Sequence, residues 1–362
     1  MNYSSRNIAL TCALLLSGSI MAQTEVKKYQ PGVTPEGAVY FLPQTALRIT
    51  VRTEKTVYTP GDFAKYADRY LRLQDVSEET NVSYKVNAVD FSVIGVPDTA
   101  KCYAVTFNAK TSATNVVLGD DGILLAINAE PHKVQSTVPF KSAPKPTPVN
   151  PRKFMSEEIL AAGSNAKMAE LTAQEIYDIR ESKNLLTRGQ ADKMPTDGEQ
   201  LKIMLNHLTE QDNALTQMFS GTITKDTTEQ VFVYVPRGEV NKQLLFRFSQ
   251  RLGLVDKDDL AGSPYYISVV DQKSVPAPAP IEDKKKKKEL EQGNGVYVNV
   301  PGKIKVTISK GNDVISDKDV TAGQYGYTEL LSGELFNKHY TTHLWMDPIT
   351  GAIDKLEAEQ PK

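Results

Sequence analysis

The chain has 362 residues, with 42 Lys and Arg against 44 Asp and Glu, two Cys and one Trp. A net charge of −2 provides no electrostatic basis for general nucleic-acid binding. A content of 40% hydrophobic and 24% charged residues excludes the disordered and membrane-embedded classes, and the length allows two or three domains with cores of their own.

The N-terminus has the layout of a secretory signal peptide, expected over residues 1–22. Arg6 is a short positive region, Ile8 to Ile20 is apolar, and Ala22 precedes a cut that leaves Gln23 as the new terminus. The apolar run is shorter than the roughly 20 residues that span a bilayer. Cys12 is expected to leave with this leader. The mature chain then keeps one thiol, Cys102, and forms no internal disulfide. Cys102 lies in the alternating stretch KCYAVTF and reads as a small packed residue.

Residues 23–138 read as an N-terminal β-rich domain with one helix. AVYFLP, TALRITVRTEKTVY, VSYKVNAVDFSVIGV, CYAVTFN, NVVL and ILLAIN are rich in β-branched and aromatic residues. Leu47, Ile49 and Val51 alternate with Arg48, Thr50 and Arg52, so one face of that strand is wet. Gly119-Asp120-Asp121-Gly122 reads as a hairpin turn. The helix is TPGDFAKYADRYLRL, where Phe63, Tyr66, Ala67, Tyr70 and Leu71 form an apolar face expected to cover the sheet.

Residues 139–153 form a proline-rich, semi-extended linker. Residues 154–220 read as a helical hairpin. Ser156 and the acids after it open the first run, whose stripe is Met168, Leu171, Ile176, Ile179 and Leu186. Gly189 ends it. The second run aligns Leu201, Met204, Leu205, Leu208, Leu215, Met218 and Phe219. His207, on the border of that stripe, reads as a packing or surface residue. Residues 221–362 return to β structure, a C-terminal β-rich domain of many short strands with polar turns. A Pro/Lys-rich loop at 275–295 interrupts it. Lys284 to Lys288 offer contact with an anionic membrane surface without spanning it, but flanking Glu282, Asp283, Glu289 and Glu291 cancel most of that charge. The fold class is therefore α+β: two β-rich domains, built as sandwiches or rolled antiparallel sheets, joined by a helical hairpin.

No assembled catalytic set is visible. G-x-S-x-G and H-E-x-x-H are absent, and the run ending at Gly302-Lys303 carries Ile304 where a phosphate loop needs Ser or Thr. No catalytic residue and no cofactor is assigned. Weak metal candidates are His339 and His343, which share a face but stand about 13 Å apart at strand rise unless a turn intervenes. Asp256, Asp258 and Asp259 are a second set, and Asp313, Asp317 and Asp319 a third. Both acidic sets lack the glycine turn and terminal glutamate of an EF-hand loop. Thr99 in Asp98-Thr99-Ala100 and Thr227 in Asp226-Thr227-Thr228, both placed at turns, match a short bacterial O-glycosylation sequon.

Several blocks resemble the uncharacterised family called domain of unknown function 4831. They are Ala38 to Leu47 with Pro43-Gln44-Thr45, Glu54-Lys55, Pro60-Gly61, and the helix with Phe63, Tyr66, Ala67, Tyr70 and Leu71. Phe246-Arg247-Phe248-Ser249, Asp259-Leu260-x-Gly262-x-Pro264-Tyr265 and Asp347-Pro348-x-Thr350-Gly351 are similar too. The resemblance implies an exported protein of a Gram-negative bacterium and an architecture. It supplies no activity and no catalytic residue. The expected location is the periplasm or outer-membrane surface. The expected function is a non-enzymatic structural or binding scaffold for a protein or glycan partner in the envelope, with no nucleic-acid partner. The alternative is an unrecognised hydrolase of an envelope or dietary polymer, its site assembled from distant Asp, Glu or Tyr residues.

Overall fold

A computed structural model of the chain describes residues 25–29, 37–106, 115–132, 139–145, 147, 149–278, 295–336 and 341–359. The expected leader at 1–22, with Cys12, lies outside the described residues, as do residues 279–294 of the Pro/Lys-rich loop and His339.

The described chain is β-rich and its sheets are antiparallel. The first sheet has the order β1-β3-β2-β6, from β1 (Glu25–Lys28), β2 (Ala38–Thr59), β3 (Asn81–Thr106) and β6 (Thr222–Tyr234). The second has the order β11-β10-β9-β7-β8, from β7 (Val240–Ser249), β8 (Gly253–Val255), β9 (Ser263–Asp271), β10 (Gly295–Lys310) and β11 (Asp313–Ser332). The third has the order β13-β12-β5-β4, from β4 (Val116–Leu118), β5 (Leu124–Ile127), β12 (Thr341–Met346) and β13 (Ile353–Glu359).

Prolines that read as strand breaks are absorbed inside strands. The expected separate strands on either side of Pro43 and Pro97 are continuous in β2 and β3, and those around Pro301 are continuous in β10. Proline lacks an N–H, so a strand carries it only at an edge or an irregular step. Here Pro43 stands opposite Pro97, next to a step where the register jumps from Phe41↔Cys102 to Pro43↔Pro97. The β10–β11 register breaks between Val300 and Gly302, at Pro301.

Those breaks separate two apolar cores along the same strands. On one side Leu47, Ile49 and Val51 of β2 and Phe91 of β3 pack against Phe246, Ile267, Ile304 and Ile308, so the first and second sheets form a sandwich. On the other side Tyr40, Leu42 and Val105 pack with Val296 and Val298 of β10 and with Ile127, Leu344 and Met346 of the third sheet. Alternation explains why β2 serves both cores: Tyr40 and Leu42 face one and Leu47, Ile49 and Val51 the other, each two positions apart, and the irregular step between the two runs resets the phase. Buried Tyr40 anchors this second core, its hydroxyl accepting from Tyr297 N at 2.9 Å and donating to Tyr297 O at 3.3 Å.

Sheet membership does not follow the expected division into N-terminal and C-terminal β-rich domains. β6 pairs with β2, and β12 pairs with β5, so two of the sheets draw strands from both segments. Long-range pairing leaves no local mark in sequence, which is why two domains were expected.

The helices form a third apolar cluster. α3 (Asn165–Arg188) starts at Ser164, whose hydroxyl accepts from Lys167 N at 3.3 Å, and ends at Gly189 with a left-handed φ of 71°. α4 (Gly198–Ser220) lies beside it, and Arg180 reaches Asp212 at 3.0 Å and Thr216 at 3.2 Å. Ile176 and Ile179 meet Leu215, Met218 and Phe219 between them. The helix expected after β2 is a short turn of 3-10 helix followed by α1 (Ala67–Leu71). Its buried Phe63, Ala67 and Leu71 pack into this helical cluster, together with Ile159 of α2 (Glu157–Leu160), and not onto a sheet as expected. The linker also tightens at its end: Pro151–Phe154 is a 3-10 turn capped by Asn150.

Candidate functional site

Two polar constellations stand out. The first lies between the two sheet cores. Asn299 on β10 is 1% exposed, Thr45 on β2 is fully buried, and Thr350 lies in the turn between β12 and β13 at 4%. Asn299 Nδ2 donates to Pro43 O at 3.0 Å and to Thr350 O at 2.9 Å. Its Oδ1 accepts from Lys101 Nζ at 3.0 Å and from Thr328 Oγ1 at 3.4 Å. Thr45 Oγ1 donates to Ile349 O at 3.1 Å and accepts from Gly323 N at 3.2 Å. Gln324 on β11 clamps the Thr45 backbone, accepting from Thr45 N and donating to Thr45 O, both at 2.8 Å, and also reaches Pro236 O at 3.0 Å. Asp347 Oδ2 accepts from Thr350 Oγ1 at 2.6 Å.

Every polar atom of the Asn299 and Gln324 amides is engaged by the protein itself. A buried amide left open is costly, and a fully paired one has nothing to offer a ligand. Pro43, Thr45, Asp347, Thr350 and Gly351, which carry the family resemblance, are thus a structural knot that ties β2, β10, β11 and the last turn together. Lys101 is the cation at its edge. Burial holds its ammonium below the ordinary lysine range, while Asp98 acts the other way.

The second constellation is open. A cleft of about 500 Å³ lies at one end of the sandwich, between β3, the end of β7 with its following turn, β9 and the end of β10. Tyr84 N donates to Gln250 O at 2.8 Å, joining the first sheet to the β7–β8 turn. Gly253 follows with φ 81°, and a Cβ there would meet the Tyr84 ring at 3.2 Å. The left-handed turn and the close ring both need glycine. Tyr265 is the cleft floor, 4% exposed and stacked on Phe246 at 4.5 Å between ring centroids. Burial raises its hydroxyl above the usual tyrosine range.

Cations surround the cleft. Arg251 and Lys310 line it, both exposed, and Lys310 Nζ stands 5.6 Å from the Tyr265 ring centroid. Lys55 Nζ stands 5.9 Å from the Tyr84 ring centroid. Lys85 also borders the cleft through its strand but pairs across the sheet with Glu54, whose carboxyl feels its charge. Among the described residues, no carboxylate lines the cleft. Among the described residues, no hydrogen bond or ion pair engages the side chains of Gln250, Arg251 or Ser263.

A smaller cleft of about 340 Å³ on the outer face of the first sheet contains two carboxylates, Asp90 and Glu229. Both already hold cations: Glu229 pairs with Arg52 at 2.9 Å and Asp90 with Lys318 at 2.6 Å. Burial pushes the Asp90 carboxyl up, but Lys318 and the Phe91 amide outweigh it and hold the group below the usual carboxylate range. A general acid of a glycosidase needs a raised pKa, and the Asp90 carboxyl is held low, so Asp90 does not match that requirement.

The residues singled out in the sequence scatter. His343 lies on β12, with Nδ1 2.5 Å from Asn128 O and its ring 6.1 Å from Trp345. Asp256, Asp258 and Asp259 lie in the loop after β8, where Asp259 caps Ala261 N at 2.8 Å. Asp317 accepts from Thr307 at 2.7 Å and Lys305 at 3.0 Å, and Asp319 from Gln272 at 2.6 Å. Among the described residues no group of three or more His, Cys, Asp or Glu is gathered as a metal would need. Thr227 is half-buried inside β6 opposite Glu54, and Thr99 is exposed in the stretch that loops out at the β2–β3 register step. Both sit within strands and not at the turns expected. The Cys102 thiol is buried opposite Phe41, and burial raises its pKa, the setting of an unreactive packed thiol. The sequence reading missed Arg251, Tyr84 and Lys310. The turn Gln250 to Gly253 was its one available signal.

An antiparallel β-rich protein with a packed polar knot and an open cationic cleft is the class that this geometry defines. The family model of a domain of unknown function (DUF4831) matches residues 36–354, and the chain belongs to that family. No curated protein and no solved structure matches it. Among the described residues no helix is long and apolar enough to cross a membrane.

Proposed function

We propose that this chain is an exported, non-enzymatic binding module of the bacterial envelope, and that its recognition site is the cleft beside Tyr84, which takes a glycan. The observation that carries the reading is the composition of that cleft. It joins a tyrosine wall and floor with amide, hydroxyl and cationic donors that the protein leaves unengaged, and its volume falls in the range of small-ligand sites. Chemistry on a polymer would call for converging carboxylates, and among the described residues none lines this cleft. Export rests on the leader at residues 1–22, and the mature chain would act in the periplasm or on the outer-membrane surface.

A panel of envelope and dietary oligosaccharides, titrated calorimetrically into the mature chain, tests this. Binding of at least one member with the ligand recovered intact is expected. Release of new reducing ends that stops on Asp90→Asn or Glu229→Gln would establish the hydrolase instead. Absence of binding across the panel would end the glycan reading.

One observation favours a protein partner as a second reading. β6 is a 13-residue edge strand, and Ile223, Val231 and Val233 on it are 66%, 41% and 59% exposed. An open edge of that length is a template for strand addition. Crosslinking through a cysteine placed at Thr224 would capture such a partner at endogenous levels. Recovery of the protein alone would count against it.

A further inference from the structure

We infer that the glycan taken by the cleft is acidic: a saccharide that carries a carboxylate, sulfate or phosphate group. This rests on the reading of the cleft as a glycan site. Three observations carry it further. Arg251 and Lys310 line the cleft, Lys55 stands at its Tyr84 wall, and among the described residues no carboxylate of the lining opposes them. A concave surface lined by one sign of charge focuses its field and concentrates ligands of the opposite sign.

Several cations elsewhere in the described chain are already held by carboxylates. Arg52 on the outer face of the same sheet is held by Glu229, and Lys225 by Glu54, at 2.9 and 3.2 Å. Arg180 and Lys183 on α3 share Asp212. Arg251 has no such partner among the described residues, and its backbone is fixed, with its N–H donated to Ser249 Oγ at 3.3 Å. A guanidinium on an anchored turn presents a planar fork that pairs with an oxyanion through two parallel hydrogen bonds. Gln250 and Ser263 beside it supply neutral donors and acceptors for hydroxyl groups. A bare inorganic anion would use the fork alone and leave the rest of the 500 Å³ to water.

The test uses the mature full-length chain and three probes: galacturonic acid trisaccharide, the same trisaccharide with its carboxyls methyl-esterified, and a sulfated disaccharide. Inorganic phosphate is the free-anion arm. An acidic sugar is expected to bind about tenfold more tightly than the ester, with a preference that shrinks as salt is raised. Which acidic probe binds better identifies the anion. Arg251→Gln and Lys310→Gln are each expected to reduce the preference about fivefold, and Arg251→Lys to restore part of it. Both positions are exposed, so thermal midpoints of the variants should match the parent. Equal affinity for acid and ester would overturn the acidic assignment and leave the glycan site standing. Phosphate binding as tightly as the sugars would reduce the cleft to a plain anion site. Failure of all the saccharides would remove the acidic assignment, and failure of the wider neutral panel as well would remove the glycan site with it.

Discussion

The knot around Asn299 and the cleft beside Tyr84 hold the same kinds of groups, amides, hydroxyls and cations, and use them in opposite ways. In the knot each donor has a protein acceptor, and the assembly is almost sealed from solvent. In the cleft the donors face open space and lack partners among the described residues. Both lie beside residues that carry the family resemblance. Proximity to a sequence motif therefore does not distinguish structure from recognition in this protein. What distinguishes them is whether the hydrogen-bonding capacity is already used.

The comparison breaks most visibly at Asn299. Asn299→Leu removes a side chain that satisfies two carbonyls and holds an ammonium, and the loss should be about 3–5 kcal/mol of unfolding free energy. Urea denaturation reads it as a lowered midpoint at constant slope, and a loss under about 1 kcal/mol would show that the knot is not a structural tie. Gly95 pairs with Thr45, and a Cβ there would lie 2.0 Å from the Pro348 carbonyl oxygen. Gly95→Ala should force the last turn off β2 and cost about 2 kcal/mol. Thr45→Val keeps the shape but leaves Ile349 O and Gly323 N without their hydroxyl partner, for about 1–2 kcal/mol.

Asp90 and Lys318 sharpen the comparison at the surface. Because the folded Asp90 carboxyl is held below its ordinary range, it contributes stability above that range and loses it as pH falls through the lowered value. The stability difference between the parent and Asp90→Asn should therefore be present at neutral pH and fade below about pH 4. Lys318 and Asp90 are 46% and 64% exposed, so screening keeps the effect to about 0.5 kcal/mol or less. A difference that grew on acidification would contradict the sign. The smallest effect belongs to the cleft: Arg251→Gln should shift stability by less than about 0.5 kcal/mol, since among the described residues none holds its exposed guanidinium. A large loss there would mean that the cleft is as structural as the knot.

Local order was readable where a period or a turn residue declares itself. The helical stripe through Ile176 and Ile179, the Gly189 stop, the Gly119–Gly122 turn and the alternation of Leu47, Ile49 and Val51 all follow from side-chain direction and backbone preference. Pro43, Pro97 and Pro301 misled the reading, because a proline ends a strand unless a register step removes the need for its N–H. That step is made by the partner strand and not by the neighbours in sequence. Of the site, Tyr265 was legible only as part of a motif. Tyr84 and Arg251 meet it across 181 and 14 positions of chain, and no periodicity records such a meeting.

The amino-acid sequence by itself determined the family, through the blocks that resemble it, and the β-rich character, the helical segment and the expectation of export, which are set by composition or by contacts between close neighbours. Tertiary structure alone decided that β6 joins β2, that one proline-crossed strand serves two cores, and that Arg251 stands by Tyr84 without a counterion among the described residues. Strand pairing and charge compensation are long-range, settled by which surfaces the folded chain brings together.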